Sequence, residues 1–421
     1  MDITNSIPLL NHHYLNIYKF FLKLTNEVKH SGSNYLSMWS VYDALNYVIE
    51  GMNEESKATM DPVLKQLITA SAVSPPSSLR FPQRFGVFIN PRYNFNANYV
   101  EKFKKEFIFS FIPSDSTTME NVNAIIKPTL RMNEMFFDEP FSPKINVLIK
   151  NEIFFKNLWH YPFRAEDTEE RLFCVDKKTN TFTGLKTMTQ DQQNNHFFTY
   201  SDEEKKCDYI SLRYEQNEDC MLIIMPRKIM NKKELINFCL EEISGDDITN
   251  FYSRRKLTRI QTLDMPKFKI KTFWNFTLDD LSETLVRDFC PYLKFLNDAY
   301  ETPTKSRFEK AFSLINPKNE IPKLALPGLF CNDDDDNNKV CVDTISISLK
   351  TVFNNTESGT YESKKALPKT MRKSQIEGET FIMNSSFLFA IVDKHGKILS
   401  MGLYSGDEGK PKKVNVKTMA L

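Results

Sequence analysis

Tyr14, Ile17, Phe21 and Leu24 recur at three- and four-residue spacing, the period at which one face of an α-helix meets a core. The same spacing runs through Ser37–Gly51 and Glu54–Leu67; Ser37 and Ser40 stand near the start of the first and Gly51 just past its end, which are start and stop signals. Three prolines in SPPSSLRFPQ, residues 74–83, then break the helical pattern. Helical spacing resumes over Tyr99–Phe107 and Met119–Phe137. From Asn146 the pattern changes to short runs rich in β-branched and aromatic residues: NVLIKNEIFF, CDYISLRY, CMLIIMP, MPKFKIKTF, VDTISISLKTVF, FLFAIVD and GKILSMGLY. Helical spacing interrupts them at Lys232–Leu240 and Leu278–Phe289. A mainly helical first 145 residues and a strand-dominated remainder predict an α+β fold with large, mostly antiparallel sheets.

Composition narrows the function classes. The 421 residues, 41% hydrophobic with 34 Phe, can bury a sizeable core, and the length admits either two domains or one large mixed one. Lys plus Arg (55) and Asp plus Glu (54) nearly cancel to a net charge of +1, so no whole-molecule field draws the chain to nucleic acid or an anionic membrane. The longest apolar runs, Cys220–Met225 and Phe387–Val392, are far shorter than the roughly 20 residues of a membrane-spanning helix. The opening segment has no basic leader and is interrupted by Asn11, His12, His13 and Lys19, so it does not read as a secretory signal. Without such a signal the expected location is the cytoplasm, with leaderless export to the surface or extracellular space as the alternative, and seven cysteines without a CxxC pair predict buried free thiols in a reducing compartment. In such a setting the sequons at Asn275, Asn354 and Asn384 are coincidental.

No catalytic motif appears. The six His show no paired ligand spacing, no GxSxG or phosphate-binding loop occurs, and NDDDDNN (residues 332–338) lacks the alternation and glycine of a calcium loop. An enzyme is therefore not expected, nor a metal or other cofactor. Lys102, Lys104 and Lys105 read as a solvated helix face. What stands out is a tract without an aliphatic core run, ESGTYESKKALPKTMRKSQ, residues 357–375, within a connection longer than compact domains usually allow. On its own it fits two readings: a solvated linker, or an arm whose Arg372 and Lys373 offer a trypsin-like protease a cationic cleavage site.

The surrounding motifs resemble the serpin family nearly from end to end. SMWSVYDALNYVIEGMNEESKATM, with Ser37, Ser40, Ala44, Leu45 and Gly51, is similar to the family's S-P-x-S-I-x-x-A-L stretch; NEIFFKNLW, Asn151 to Trp159, resembles its N-A-I-Y-F-K-G-x-W signature. Met188, Tyr209, Cys220 and Met265 open further motifs in family order, and FIMNSSFLFAIVDKHGKILSMG, Phe381 to Gly402, is similar to the closing segment. The resemblance implies a single serpin domain over residues 1–405, with three β-sheets, about nine helices and an exposed reactive loop at about 357–380, followed by a basic tail at 406–421. It implies a monomer that inhibits trypsin-like serine proteases as a suicide substrate: the loop is cut, and the freed arm enters the main sheet while still joined to the protease. The hinge falls on Glu357, Gly359 and Thr360. Counts from that hinge forward and from Phe381 back both set the reactive bond at Lys373–Ser374, with Arg372 as the fallback. Ser37, Ser40, Asn151 and Trp159 fall in the region where the sheet opens.

The chain also departs from the pattern. Tyr361, Glu362, Ser363, Lys364 and Lys365 replace small hinge residues; with the Thr360 face turned inward, Glu362 and Lys364 go under the sheet together, and Pro368 removes a ladder hydrogen bond. Leu349 stands where the family has a histidine, Met38 where it has a proline and Glu152 where it has an alanine, so Asn151 and Ser40 are expected to lack a customary hydrogen-bond partner. These departures favour an alternative, a non-inhibitory binding or carrier serpin with a cleavable loop.

Overall fold

Strand-forming runs from opposite halves of the chain meet in one five-stranded sheet. In the computed structural model its order is β12 (Phe268–Thr277), β16 (Ile345–Asn355), β5 (Val147–Phe154), β2 (Gln83–Ile89) and β4 (Phe107–Phe111). The structure describes residues 3–27, 32–51, 81–104, 107–130, 136–137, 140–141, 144–190, 196–277, 324–325, 330–331, 341–342, 345–360, 378–406 and 412–413. β5 and β16 run parallel, from Ile345 opposite Val147 to Val352 opposite Phe154. Both faces of this pair are covered, so the two strands are buried almost throughout. Ile149, Ile347 and Leu349 belong to the main core on the inner face. On the outer face, Phe88 and Leu148 pack with Phe136 and Phe137. There α4 (Ser116–Leu130) is tied down by Asn123, whose side chain donates to the Phe137 carbonyl and accepts from its N–H, both at 2.9 Å.

A second, larger sheet has the order β1 (Asn34–Ser37), β19 (Ile398–Tyr404), β18 (Phe387–Val392), β10 (Cys220–Pro226), β9 (Cys207–Arg213), β8 (His196–Asp202), β11 (Lys256–Pro266), β7 (Thr181–Gln190) and β20 (Lys412–Lys413). β6 (Thr168–Asp176) adds to β7 and β17 (Glu379–Ile382) to β11. β11 divides it: Lys256–Arg259 pair with β8 and Leu263–Pro266 with β7. It is therefore two sheets sharing one strand, which with the five-stranded sheet gives the expected three. Two short ribbons, β13 (Leu324–Ala325) with β15 (Cys341–Val342) and β14 (Phe330–Cys331) with β3 (Asn94–Phe95), complete the described strands.

Six α-helices lie in the described residues: α1 (Ile3–Glu27), α2 (Met38–Glu50), α3 (Ala97–Phe103), α4, α5 (Lys232–Glu241) and α6 (Gly245–Arg254). The stripe on α1 is buried at Tyr14, Ile17 and Phe21, and Leu10, Tyr18 and Leu22 widen it. Four strands, β1 to β4, occupy the part of the chain whose periodicity predicts helices, and the helix over Tyr99–Phe107 ends at Phe103 because Phe107 opens β4. α6 has no counterpart in the periodicity reading; its start is a capping box of Ser244 and Asp247. Of the basic tail, Lys412 and Lys413 pair with β7. The helices expected at Glu54–Leu67 and Leu278–Phe289, the NDDDDNN tract and the reactive bond lie outside the described residues.

Candidate functional site

β16 ends in a tight turn whose return leg is stitched to two neighbours. Thr356 N–H donates to the Gly359 carbonyl at 2.8 Å and Gly359 N–H to the Thr356 carbonyl at 3.1 Å, the antiparallel start of a hairpin. On its other side Gly359 forms an antiparallel bridge with Leu158, while Trp159 N–H donates to the Ser358 carbonyl and Thr360 N–H to the Asn157 carbonyl, both at 2.9 Å. The Thr360 hydroxyl accepts from Asn157 N–H at 2.7 Å and donates to its carbonyl at 3.0 Å. Gly359 is thus bridged on one side to the 157–159 segment beyond β5 and on the other to Thr356 at the end of β16, and Thr360 bonds to Asn157.

Gly359 is required by geometry. Its φ of +137° is one that side chains rarely adopt, and a Cβ there would sit 2.4 Å from the Asn157 carbonyl oxygen. Trp159 holds the turn from the side: its Nε1–H donates to the Thr356 carbonyl at 3.0 Å, and its ring stacks on Tyr214 with centroids 4.3 Å apart. Glu357 accepts from Lys267 Nζ at 2.8 Å and from the Thr168 hydroxyl at 3.1 Å. Burial alone would raise its carboxyl pKa, but the bond to Lys267 and its positive charge outweigh that and leave it below the usual value.

Lower in the sheet, the remaining sequence-predicted residues cluster where α2 meets the seam between β5 and β16. Ser37, Ser40 and Asn151 are fully buried, and Leu349 lies directly opposite Asn151. The hydroxyls of Ser37 and Ser40 and both ends of the Asn151 amide have no hydrogen-bond partner among the described residues. Here Leu349, fully buried in the apolar core, offers no donor or acceptor.

On the outer face of the same seam the structure adds a contact that motif comparison does not reveal. Lys350 Nζ lies 2.5 Å from Glu152 Oε1, with the two side chains only 3% and 2% exposed. Arg84 on β2 reaches the other carboxylate oxygen at 3.5 Å. Glu152 is visible in the sequence as a departure from an alanine, but Lys350 is 198 positions away and only the strand register brings it alongside.

The family model described as serpin (serine protease inhibitor) matches residues 16–286, and the chain belongs to this family. Serpin A3-2 of Bos taurus is 23% identical over 261 residues, a match spanning 60% of each chain. Among solved structures, human thyroxine-binding globulin complexed with thyroxine superposes with a TM-score of 0.67 at 17% identity, over 96% of this chain and 99% of that one. Serpin48 of the insect Tenebrio molitor, described as highly specific, superposes with a TM-score of 0.64 at 13% identity, over 95% and 98%. At these identities the likeness to solved structures shows the fold, and with it the three-sheet architecture derived from the strand order.

Among the described residues no group of three or more His, Cys, Asp and Glu is placed to hold a metal, and no helix is long and apolar enough to cross a membrane. Two members of the small basic cluster carry acidic partners: Lys102 bonds Glu50 at 2.7 Å and Lys104 bonds Glu101 at 2.6 Å.

Proposed function

We propose that this serpin is a suicide inhibitor of trypsin-like serine proteases, with Lys373 entering the protease's acidic specificity pocket and the Lys373–Ser374 bond as the one attacked. The protease serine would acylate on the Lys373 carbonyl, releasing the amine of Ser374, and the arm beginning at Thr360 would enter the seam between β5 and β16. The observation that carries this reading is the double bridge at Gly359, to Leu158 on one side and Thr356 on the other. It is the first rung of a new central strand, the β-augmentation the mechanism needs. Such a protein acts as a monomer. Burial pushes the Cys207 and Cys220 thiols up to about 11, which keeps them unreactive and suits cytoplasmic residence.

A second reading, a non-inhibitory binding or carrier serpin, is favoured by what the arm would meet. Continuing the register of the two bridges sets residue 362 between Phe155 and Phe353, and residue 364 between Ile153 and Thr351. Those positions are Glu362 and Lys364, and charges buried there slow insertion, so the acyl-enzyme has time to hydrolyse.

Incubation with trypsin followed by a denaturing gel separates the two. A covalent adduct that is lost in Lys373→Ala supports inhibition at this bond. Clean cleavage without adduct, and without a rise in melting temperature of the nicked protein, supports the binding role. An adduct retained in Lys373→Ala would move the bond, first to Arg372.

A further inference from the structure

We propose that Arg84, Glu152 and Lys350 form a charge lock that keeps β5 and β16 closed on each other and so regulates admission of a strand between them. Arg84 is the register partner of Glu152 across β2 and β5, and Lys350 its partner across β5 and β16. Three charges thus stand in one row over three adjacent strands, one carboxylate between two cations.

The row sits on the outer face, which Phe136 and Phe137 help to cover. One step along that face of β5, Lys150 is placed over the rings of Phe137 and Phe136, at 4.8 and 5.3 Å. The inner face offers no matching polar tie at this level, since Asn151 faces Leu349 and both ends of its amide lack a hydrogen-bond partner among the described residues. Glu152 with Lys350 is thus a polar hold across the seam at this level, beside the backbone ladder.

Seating another strand moves β5 and β16 from one interstrand spacing, ~4.8 Å, to about two. That separates Lys350 from Glu152 where water does not reach, and a buried charge without its partner is costly. The incoming strand does not neutralise the row. By the register of the Gly359 bridges it brings residue 365 between Glu152 and Lys350, and that residue is another lysine. The lock thus resists opening and is not fully repaid on closure around the arm.

The lock concerns the regulation of the proposed insertion and rests on that reading for its purpose, but its existence is testable in the intact protein. Hydrogen exchange is followed by mass spectrometry on full-length wild type, Glu152→Gln, Lys350→Met and Lys350→Arg. Amides of 147–154 and 345–352 are expected to exchange at least about tenfold faster in Glu152→Gln and Lys350→Met, with other strands within about twofold, and Lys350→Arg is expected to restore protection. Seam amides that exchange at the wild-type rate in both variants, or acceleration spread evenly over all sheets, would overturn the lock. Should Glu152→Gln not fold, Lys350→Met, in which Glu152 keeps Arg84, decides alone. A nicked wild type that melts no higher than the intact protein would sink the insertion reading while leaving the exchange comparison intact.

Discussion

Glu357 illustrates how a single side chain can tie separate segments at the turn after β16. Its carboxylate joins Lys267, just past β11, and Thr168, at the start of β6, while its backbone carbonyl accepts from Phe163 N–H at 2.9 Å. Because its pKa is depressed on folding, the ion pair contributes stability above the unfolded carboxyl value and loses it as pH falls through the folded one. With both groups partly screened, the contribution at neutral pH is about 1 kcal/mol. Urea unfolding of wild type and Lys267→Met is therefore expected to differ by about that amount at pH 7, and the gap should close as pH falls below about 4; a gap independent of pH would mean that Lys267 acts through packing of its stem. This part of the site was legible in the sequence, because E-x-G-T is a local motif and Gly359 sits at a backbone angle that excludes side chains. Its partner was not, for Lys267 is 90 positions away and is brought there by the fold.

At the scale of elements, the decisive object is the parallel pair β5 and β16. Each was readable as a strand from its apolar run, but their pairing joins segments 198 positions apart, and no periodicity within either run specifies it. β2 was missed for a related reason: Phe85–Ile89 is buried without interruption, and a short continuous apolar run does not distinguish strand from helix. The inner side of the seam carries a testable defect. Asn151 is buried with neither end of its amide hydrogen-bonded among the described residues, and an orphaned buried polar group of this kind costs about 1–3 kcal/mol. Asn151→Leu, similar in size and apolar, is expected to raise the free energy of unfolding by about 1 kcal/mol, and thermal or denaturant unfolding checks it. A loss of several kcal/mol would show that a buried water satisfies the amide.

For the whole molecule, the question is whether inserting the arm gains more than it costs, and quickly enough to trap a protease. Phe155 and Phe353 stack with centroids 6.4 Å apart, and the register of the Gly359 bridges drives residue 362 between them. An inserted carboxylate there would lose its water to two aromatic rings, and Lys364, two positions on in the sequence, would give it only one counter-charge. On insertion, the same register would set residue 368, a proline, between Ile149 and Ile347, where it would remove one ladder hydrogen bond, about 0.5–1.5 kcal/mol. Where the ladder gained along the arm outweighs these losses, the penalty falls first on the rate. A desolvation barrier of about 2.7 kcal/mol slows a step about a hundredfold, enough to shift the outcome from trapped protease to cut loop whenever hydrolysis of the acyl-enzyme is competitive. The double replacement Glu362→Ala with Lys364→Ala removes both charges and leaves Lys373–Ser374 untouched. It is expected to raise the fraction of trypsin captured as covalent adduct per cleavage by several-fold, read as band intensities on a denaturing gel. It should also raise the melting temperature of the nicked protein. If cleavage continues without adduct in the double variant as in wild type, the charges of Glu362 and Lys364 are not what limits insertion, which leaves Pro368, the Glu152–Lys350 contact or the non-inhibitory reading.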